Sequence, residues 1–219
     1  MSFRHDLVLF DLDGTLTDSA PGITGGLKEA FQKIGWPVPP RETLRKFIGP
    51  PVRNKLNETY SEMNEEAVSE FIRFYRDYYN SRGAYENSVY PGIMDLLAQL
   101  KAGGVLLAVA TSKPATPAKR VLDHFGLAQP MDYISTEDDS ESGRGKEHLI
   151  LPVLEQSGVP ASRAVMVGDT KYDAGGARRA GTDFVGVLYG FGSQEEMERE
   201  GAENFVGSVE ELRDFLVDK

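Results

Sequence analysis

The chain has 219 residues, of which 40% are hydrophobic and 26% charged, and its formal net charge is −10 at pH 7. That charge argues against a phosphate backbone or an anionic membrane surface as the main partner, so neither nucleic acid nor membrane is expected. There is no cysteine, which excludes disulfides, thiolate metal sites and cysteine nucleophiles, and with no signal-peptide pattern and no apolar run of membrane-spanning length a cytoplasmic location is expected.

The first apolar run, Leu7-Val8-Leu9-Phe10, reads as a buried β-strand, and Asp11-Leu12-Asp13-Gly14-Thr15 as the turn that leaves it. His5, ahead of that strand, reads as exposed. From about residue 20 to 82 the pattern is helical. Ile23, Leu27, Ala30 and Ile34 recur at helix spacing up to a stop at Gly35-Trp36-Pro37. A second helix spans about Glu42 to Phe47 and breaks at Gly49-Pro50-Pro51, and a third runs from Val52 to Tyr60. Val68, Phe71, Ile72 and Tyr75 mark a fourth, and the aromatic series Phe71, Phe74, Tyr75, Tyr78 and Tyr79 reads as packing core rather than a ligand surface. After Gly83 strand and helix alternate. Val105–Ala110, Tyr133–Ser135, Ala164–Val167 and Phe184–Val187 read as strands, with helices at about Thr116–Phe125 and Glu147–Gln156 between them. Glu137-Asp138-Asp139-Ser140-Glu141 reads as a solvated acidic loop. Such alternation builds a parallel sheet with right-handed crossovers, an α/β fold. The N-terminal strand belongs with the later block, so residues 1–15 and 86–219 form one domain and residues 16–85 a small helical domain inserted into it.

Four polar signals fall at strand ends or at a helix start. Asp11 and Asp13 leave the end of a strand where open α/β sheets bind ligands. One carboxylate there can attack an electrophile while its neighbour moves a proton; the alternative is a turn whose aspartates satisfy loop backbone. Thr111-Ser112-Lys113-Pro114 offers a hydroxyl, backbone N–H groups and a helix N-terminus to phosphoryl oxygens, although the same residues would also make a plain N-cap. Lys146 follows Gly143-Arg144-Gly145 at a helix start, where a cation opposes the helix dipole at a cost of about 0.3–1 kcal/mol. Gly168-Asp169-Thr170-Lys171-Tyr172-Asp173 sets two carboxylates four residues apart after an apolar strand, which suits a hard divalent cation; the alternative is an N-cap and a surface aspartate. Asp11, Asp13, Asp169, Asp173 and Lys146 together carry a net −3 if all are ionised. Like charges about 4 Å apart repel by about 4 kcal/mol at an effective dielectric of 20, so the cluster needs Mg²⁺, a proton held on one carboxylate, or both.

Taken in order, D-x-D-G-T, Thr-Ser-Lys-Pro, the isolated lysine and G-D-x-x-x-D resemble the motifs of the haloacid dehalogenase superfamily of phosphotransferases, over nearly the whole chain. The insertion at 16–85 resembles its helical cap, seated on a Rossmann-like parallel-sheet core. Tyr90-Pro91-Gly92, Thr111-Ser112-Lys113-Pro114 and Tyr189-Gly190-Phe191-Gly192 most resemble its phosphoglycolate phosphatase-like branch. The resemblance implies a Mg²⁺-dependent phosphomonoester hydrolase that acts on a small phosphorylated metabolite through an aspartyl-phosphate. It implies Asp11 as nucleophile and Asp13 as general acid and base. Mg²⁺ would be held by Asp11, Asp169 and the Asp13 carbonyl, with Asp173 binding directly or through water. Thr111 and Lys146 would hold the phosphoryl group, and Gly14, Thr15, Ser112 and Lys113 are expected at the bound substrate. Asp13 points to oxygen esters, because the superfamily's dehalogenases and phosphonate hydrolases lack an acid there. A 5′-nucleotidase or pyrophosphatase is the main alternative; a sugar-phosphate mutase and a non-catalytic binding protein also stay open. The loop Lys46–Arg53 is the candidate for substrate choice, with Arg53 either reaching an anionic leaving group or solvated on its helix. A monomer or small homo-oligomer is expected.

Overall fold

In the computed structural model, which describes residues 3–138 and 145–217, the run Leu7–Phe10 forms β1 at the centre of a six-stranded parallel sheet. All four side chains are buried. They divide by the two-residue period of a strand, Val8 and Phe10 packing into one core and Leu7 and Leu9 into a second on the opposite face. A continuous apolar run, rather than an alternating one, marks a strand covered on both faces.

The chain leaves β1 through a turn into β2, Thr17–Asp18, and enters the helical segment. This comprises α1 (Ala20–Lys33), α2 (Arg41–Arg45), α3 (Val52–Thr59) and α4 (Glu65–Tyr78), closed by a single π-helical turn at Tyr79–Gly83. Phe31 and Phe71 meet edge to face at 4.7 Å and pack α1 on α4. Asn64 caps α4 by accepting from the Ala67 N–H at 2.9 Å, an interaction typically worth about 1 kcal/mol. The chain returns through β3, Ser88–Val89, which pairs antiparallel with β2. A two-stranded ribbon therefore forms both connections between the helical segment and the sheet.

The rest alternates: α5 (Ile93–Ala102), β4 (Leu106–Pro114), α6 (Ala115–His124), β5 (Tyr133–Glu137), α7 (Glu147–Ser157), β6 (Ala164–Gly168), α8 (Lys171–Ala180), β7 (Asp183–Val187), α9 (Gln194–Arg199), β8 (Phe205–Val206) and α10 (Val209–Leu216). The strand order is β5-β4-β1-β6-β7-β8. The chain builds outward from β1 to β5, then crosses to the other side of β1 to lay down β6. The crevice at the carboxyl ends beside such a reversal is where open α/β sheets bind ligands. Register supplies the detail. Phe10 lies opposite Val109 of β4 and Val167 of β6, so Asp11, Thr111 and Asp169 emerge together at one edge.

Several expectations are corrected. β4 continues past Ala110 to Pro114, because Thr111 and Pro114 still pair with Thr136 and Glu137 of β5 across a local break in register. The two-residue strands β2, β3 and β8 are too short to show a period in sequence. His5 is buried, with Nε2 2.8 Å from the Asp183 carboxylate. Glu137 is buried too, its carboxylate 3.1 Å from His148 Nε2, not solvated. The rest of that acidic loop, Asp139 to Glu141, lies outside the described residues, as do Gly143 and Arg144 ahead of Lys146. No helix among the described residues is long and apolar enough to cross a membrane.

Candidate active site

Asp11 continues the β1 ladder: its N–H donates to the Val167 carbonyl at 2.9 Å. Its buried carboxylate accepts from Lys146 Nζ at 2.5 Å, and the same ammonium donates to Asp173. Lys146 sits just ahead of α7 and is buried, so its unfavourable place at a helix start is offset by two carboxylates.

Asp173 is fully buried, not a surface residue. It completes the capping box of α8, one carboxylate oxygen accepting from the Thr170 N–H at 2.9 Å and from its hydroxyl at 2.6 Å. The other oxygen faces Lys146.

Asp169 is held from two sides, by the Thr15 hydroxyl at 3.3 Å and the Phe191 N–H at 2.7 Å. Close backbone approach is what makes this possible. Gly14 has a φ of +92°, and a Cβ there would stand 2.3 Å from a carboxylate oxygen of Asp169; a Cβ on Gly192 would stand 1.8 Å from the Asp169 carbonyl oxygen. Gly14 and Thr15, expected at the substrate, are placed against Asp169. The motif Tyr189–Gly192 wraps the same residue from the far side. The Tyr189 hydroxyl donates to the Thr15 carbonyl at 3.2 Å, and its ring meets Tyr90 edge to face at 4.7 Å.

Oxygens of Asp11, Asp169 and Asp173 all lie within 4.8 Å of one another. Burial pushes the Asp11 carboxyl up to about 6, against the pull of Lys146 and with help from Asp173. Burial, then Asp173 and Asp11, hold Asp169 well above the ordinary carboxylate range. Burial works against the Lys146 ammonium, but Asp11 and Asp173 outweigh it and keep its pKa above the ordinary value. Three buried carboxylates around one ammonium are short of positive charge. A divalent cation with a preference for oxygen ligands fits that donor set and that deficit.

Asp13 stands apart from this group. One oxygen accepts from Lys113 Nζ at 2.6 Å, and the other is buried without a partner. Burial opposes the Lys113 ammonium, yet Asp13 outweighs it and holds its pKa above the ordinary value. With Lys113 counted, four carboxylates and two ammonium groups leave a net −2, not the −3 expected from sequence. One dication balances that charge.

Thr111 is buried and its hydroxyl accepts from the Lys113 N–H at 3.2 Å. With Ser112, Lys146, Asp11 and Asp13 it borders a cleft of about 20 Å³. A larger cavity of about 340 Å³ shares Asp13, Gly49, Ser112 and Lys113 with that cleft and lies between the helical segment and the sheet. Phe47, Gly49, Pro50, Pro51 and Val52, from the loop 46–53, line it. Arg53 is not brought to the site. α3 and α4 pack together, and its guanidinium pairs with Glu65, the first residue of α4, at 2.5 Å. Tyr79 belongs to the core and Tyr75 packs against it, as expected, and both also line the cavity. Lys113 Nζ lies 4.6 Å from the Tyr79 ring centroid, and the Tyr79 hydroxyl is buried.

Sequence reading missed the Phe191 N–H, the Lys113–Asp13 pair and Tyr79. The glycines flanking Phe191 were a usable signal for the first. Nothing local distinguishes the other two.

The model of the haloacid dehalogenase-like hydrolase family matches residues 8–187. The chain is 36% identical to a 5′-nucleotidase of Pseudomonas aeruginosa, covering 98% of this chain and 97% of that protein. It is 39% identical to the tyrosine-protein kinase PtkA of Mycobacterium tuberculosis, over 96% of this chain and 72% of that one. It is 32% identical to a phosphoglycolate phosphatase of Caulobacter vibrioides, over 95% and 91% respectively. Among solved structures, a predicted phosphatase from Clostridium acetobutylicum superposes with a TM-score of 0.88 at 42% identity, covering 96% of this chain and 97% of that one.

Proposed function

The chain belongs to the haloacid dehalogenase-like hydrolase family as one of its phosphatases, and we propose that it hydrolyses phosphate monoesters of small metabolites through an aspartyl-phosphate formed on Asp11. One observation carries the reading. Two carboxylates leave the same strand end in different settings, Asp11 bound to Lys146 among other carboxylates, and Asp13 bound to Lys113 with an unpartnered oxygen at the cavity.

In this reading the Asp11 carboxylate attacks phosphorus and the bond from phosphorus to the leaving oxygen breaks. Asp13 gives that oxygen its proton, then takes one from the water that attacks the acyl phosphate, which releases phosphate and restores Asp11. Asp13 must leave Lys113 to do so, and the incoming phosphoryl group competes for the same ammonium. Lys146 and Thr111 carry the charge on the transferred group, joined by Ser112. Thr15, Gly14 and the Phe191 N–H orient Asp169. The cation in this proposal is Mg²⁺, held by Asp11, Asp169 and the Asp13 carbonyl, with Asp173 direct or through water. Bound there, it would neutralise the carboxylates and the phosphoryl oxygens and would supply Lewis-acid chemistry. Residues 16–85 act as a cap on the core formed by 1–15 and 86–219, and the leaving group occupies the cavity between them.

Acid quenching within milliseconds of mixing with a substrate labelled in its phosphate tests the mechanism. Label should appear on the protein, be released by hydroxylamine, and be missing from Asp11→Asn. Substantial turnover by that variant would overturn the proposal. Phosphate release without an added sugar acceptor is the outcome that separates it from a mutase.

A further inference from the structure

We infer that His148, held by Glu137, is a positioning residue for Lys146. The pair ties the start of α7 to the end of β5 and so sets where the Lys146 ammonium stands against the transferred phosphoryl group. The inference rests on the phosphatase reading and adds two side chains that the proposed steps leave unused.

The start of α7 is locally unfavourable. Lys146 stands at the cap position, where no side chain accepts from the first turn, and its charge opposes the helix dipole. Its carbonyl accepts from the Leu149 N–H at 3.0 Å and the Ile150 N–H at 3.3 Å, so its backbone belongs to the turn. The direction of that turn is set by contacts from other elements. On one side α8 presses in: a Cβ on Gly176 would stand 2.7 Å from the Lys146 Cβ, and Arg179 Nε donates to Glu147 at 2.8 Å. On the other side stands His148. Its Nδ1 lies 2.5 Å from the Gly145 carbonyl oxygen and its Nε2 3.1 Å from the Glu137 carboxylate.

The chemistry of these contacts makes them a link. A carbonyl oxygen only accepts, so Nδ1 carries a hydrogen. Nε2 then meets a carboxylate, and a bond forms there only with a proton held between the two groups. Glu137 is buried and His148 half-buried, so truncating either leaves the other short of a partner away from water.

The link spans the phosphoryl site. Glu137 is the last residue of β5, and its neighbour Thr136 pairs with Thr111 of β4. The Gly145 carbonyl belongs to the peptide bond that ends at the Lys146 nitrogen, so its orientation passes directly to the lysine Cα. One imidazole therefore fixes Lys146 against the strand pair that carries Thr111, the other residue assigned to the transferred group. From that backbone position Nζ reaches both Asp11 and Asp173. A misplacement of about 1 Å at such a group costs up to about 10²-fold in rate.

The test measures kcat, KM and the inhibition constant of orthovanadate, which adopts the five-coordinate geometry of the transferred group. The substrate is p-nitrophenyl phosphate or acetyl phosphate in Mg²⁺, whichever the wild type turns over faster. His148→Leu and Glu137→Ala should each lower kcat about ten- to a hundredfold and weaken vanadate about as much, with KM changed less than about threefold. The double variant should lose no more than either single one, because both break the same link. Glu137→Gln keeps an acceptor and a donor for Nε2 and should return to within about threefold of wild type. Should His148→Leu not fold, His148→Asn is judged by the same figures, since it keeps a donor for the Gly145 carbonyl and releases Glu137. A folded variant that melts lower but keeps kcat and vanadate inhibition within about threefold of wild type would overturn the inference and leave the phosphatase reading standing. Losses that multiply in the double variant would do the same. Wild type that turns over neither ester would overturn both.

Discussion

Replacing Asp11 by asparagine should abolish turnover and, at neutral pH without metal, make the protein more stable. The magnitude follows from the carboxyl itself. Burial raises Asp11 from 3.8 to about 6, and each pH unit of such a difference is worth about 1.36 kcal/mol. The ionised carboxylate therefore costs the fold about 3 kcal/mol. Because the folded pKa is raised, that cost is absent below about pH 4, where the carboxyl is protonated in both states. It grows between about pH 4 and 6 and is complete above that range. An asparagine keeps an oxygen that can accept from Lys146, and Lys146 keeps Asp173. For a chain of this length 1 kcal/mol moves Tm by about 2–4 °C, so Asp11→Asn should melt up to about 6–12 °C above wild type in chelator at pH 7.5. The gap should shrink to about a third of that at pH 4.5. Mg²⁺ should narrow it at pH 7.5, because ligand binding stabilises the form that binds it. Calorimetric melting of both proteins at three pH values, with and without Mg²⁺, gives the comparison. A variant less stable than wild type in chelator at pH 7.5, or a gap that ignores pH, would refute the reasoning.

Other perturbations probe the remaining parts. Excess chelator should remove activity and Mg²⁺ restore it, and Asp169→Asn should raise the Mg²⁺ concentration for half-activity at least tenfold; full activity in chelator would assign the carboxylates another purpose. Lys146→Met leaves Asp11 and Asp173 without their shared cation and should cost about 3–5 kcal/mol in a denaturant titration, whereas a loss below about 1 kcal/mol would mean that the pair is neutralised otherwise. Asp13→Asn should slow alkyl esters by about 10²–10⁴-fold and a nitrophenyl ester by less; equal losses, with phosphorylation shown to be rate-limiting, would argue against Asp13 as the acid. Gly192→Ala must move the loop off Asp169, since its Cβ would stand 1.8 Å from the carbonyl oxygen, so Mg²⁺ affinity measured by titration calorimetry should fall in a protein that still folds.

Asp11, Thr111, Lys146 and Asp169 could be picked out of the sequence because each leaves a strand or precedes a helix, and parallel register makes such ends meet in space. The sheet was readable for the same reason, since strands buried on both faces announce themselves as apolar runs. What could not be read depends on contacts between distant segments. Lys113 reaches Asp13 across a hundred residues, and nothing near either residue shows the pairing that changes the charge of the site. Glu137 looks like part of a solvated loop until β5 and α7 pack together, bury it and set it against the half-buried His148. Tyr79 has the same type and spacing as core aromatics on α4. It follows α4 in the π-helical turn, where it joins the core and also lines the cavity.

Asp173 shows why a structural and a functional reading of one residue need not compete. A capping carboxylate and a site carboxylate look like alternatives when only the sequence is in view. The residue is both, because a carboxylate has two oxygens. One accepts from the Thr170 N–H and hydroxyl and completes the first turn of α8, and the other is thereby aimed at Lys146. The cap fixes the side chain's orientation, so the local rule that makes Asp173 a good helix start also places its charge in the cluster. The same holds for Thr15, whose turn conformation after Gly14 directs its hydroxyl to Asp169. At these two positions the chemistry of the site is a consequence of ordinary backbone satisfaction.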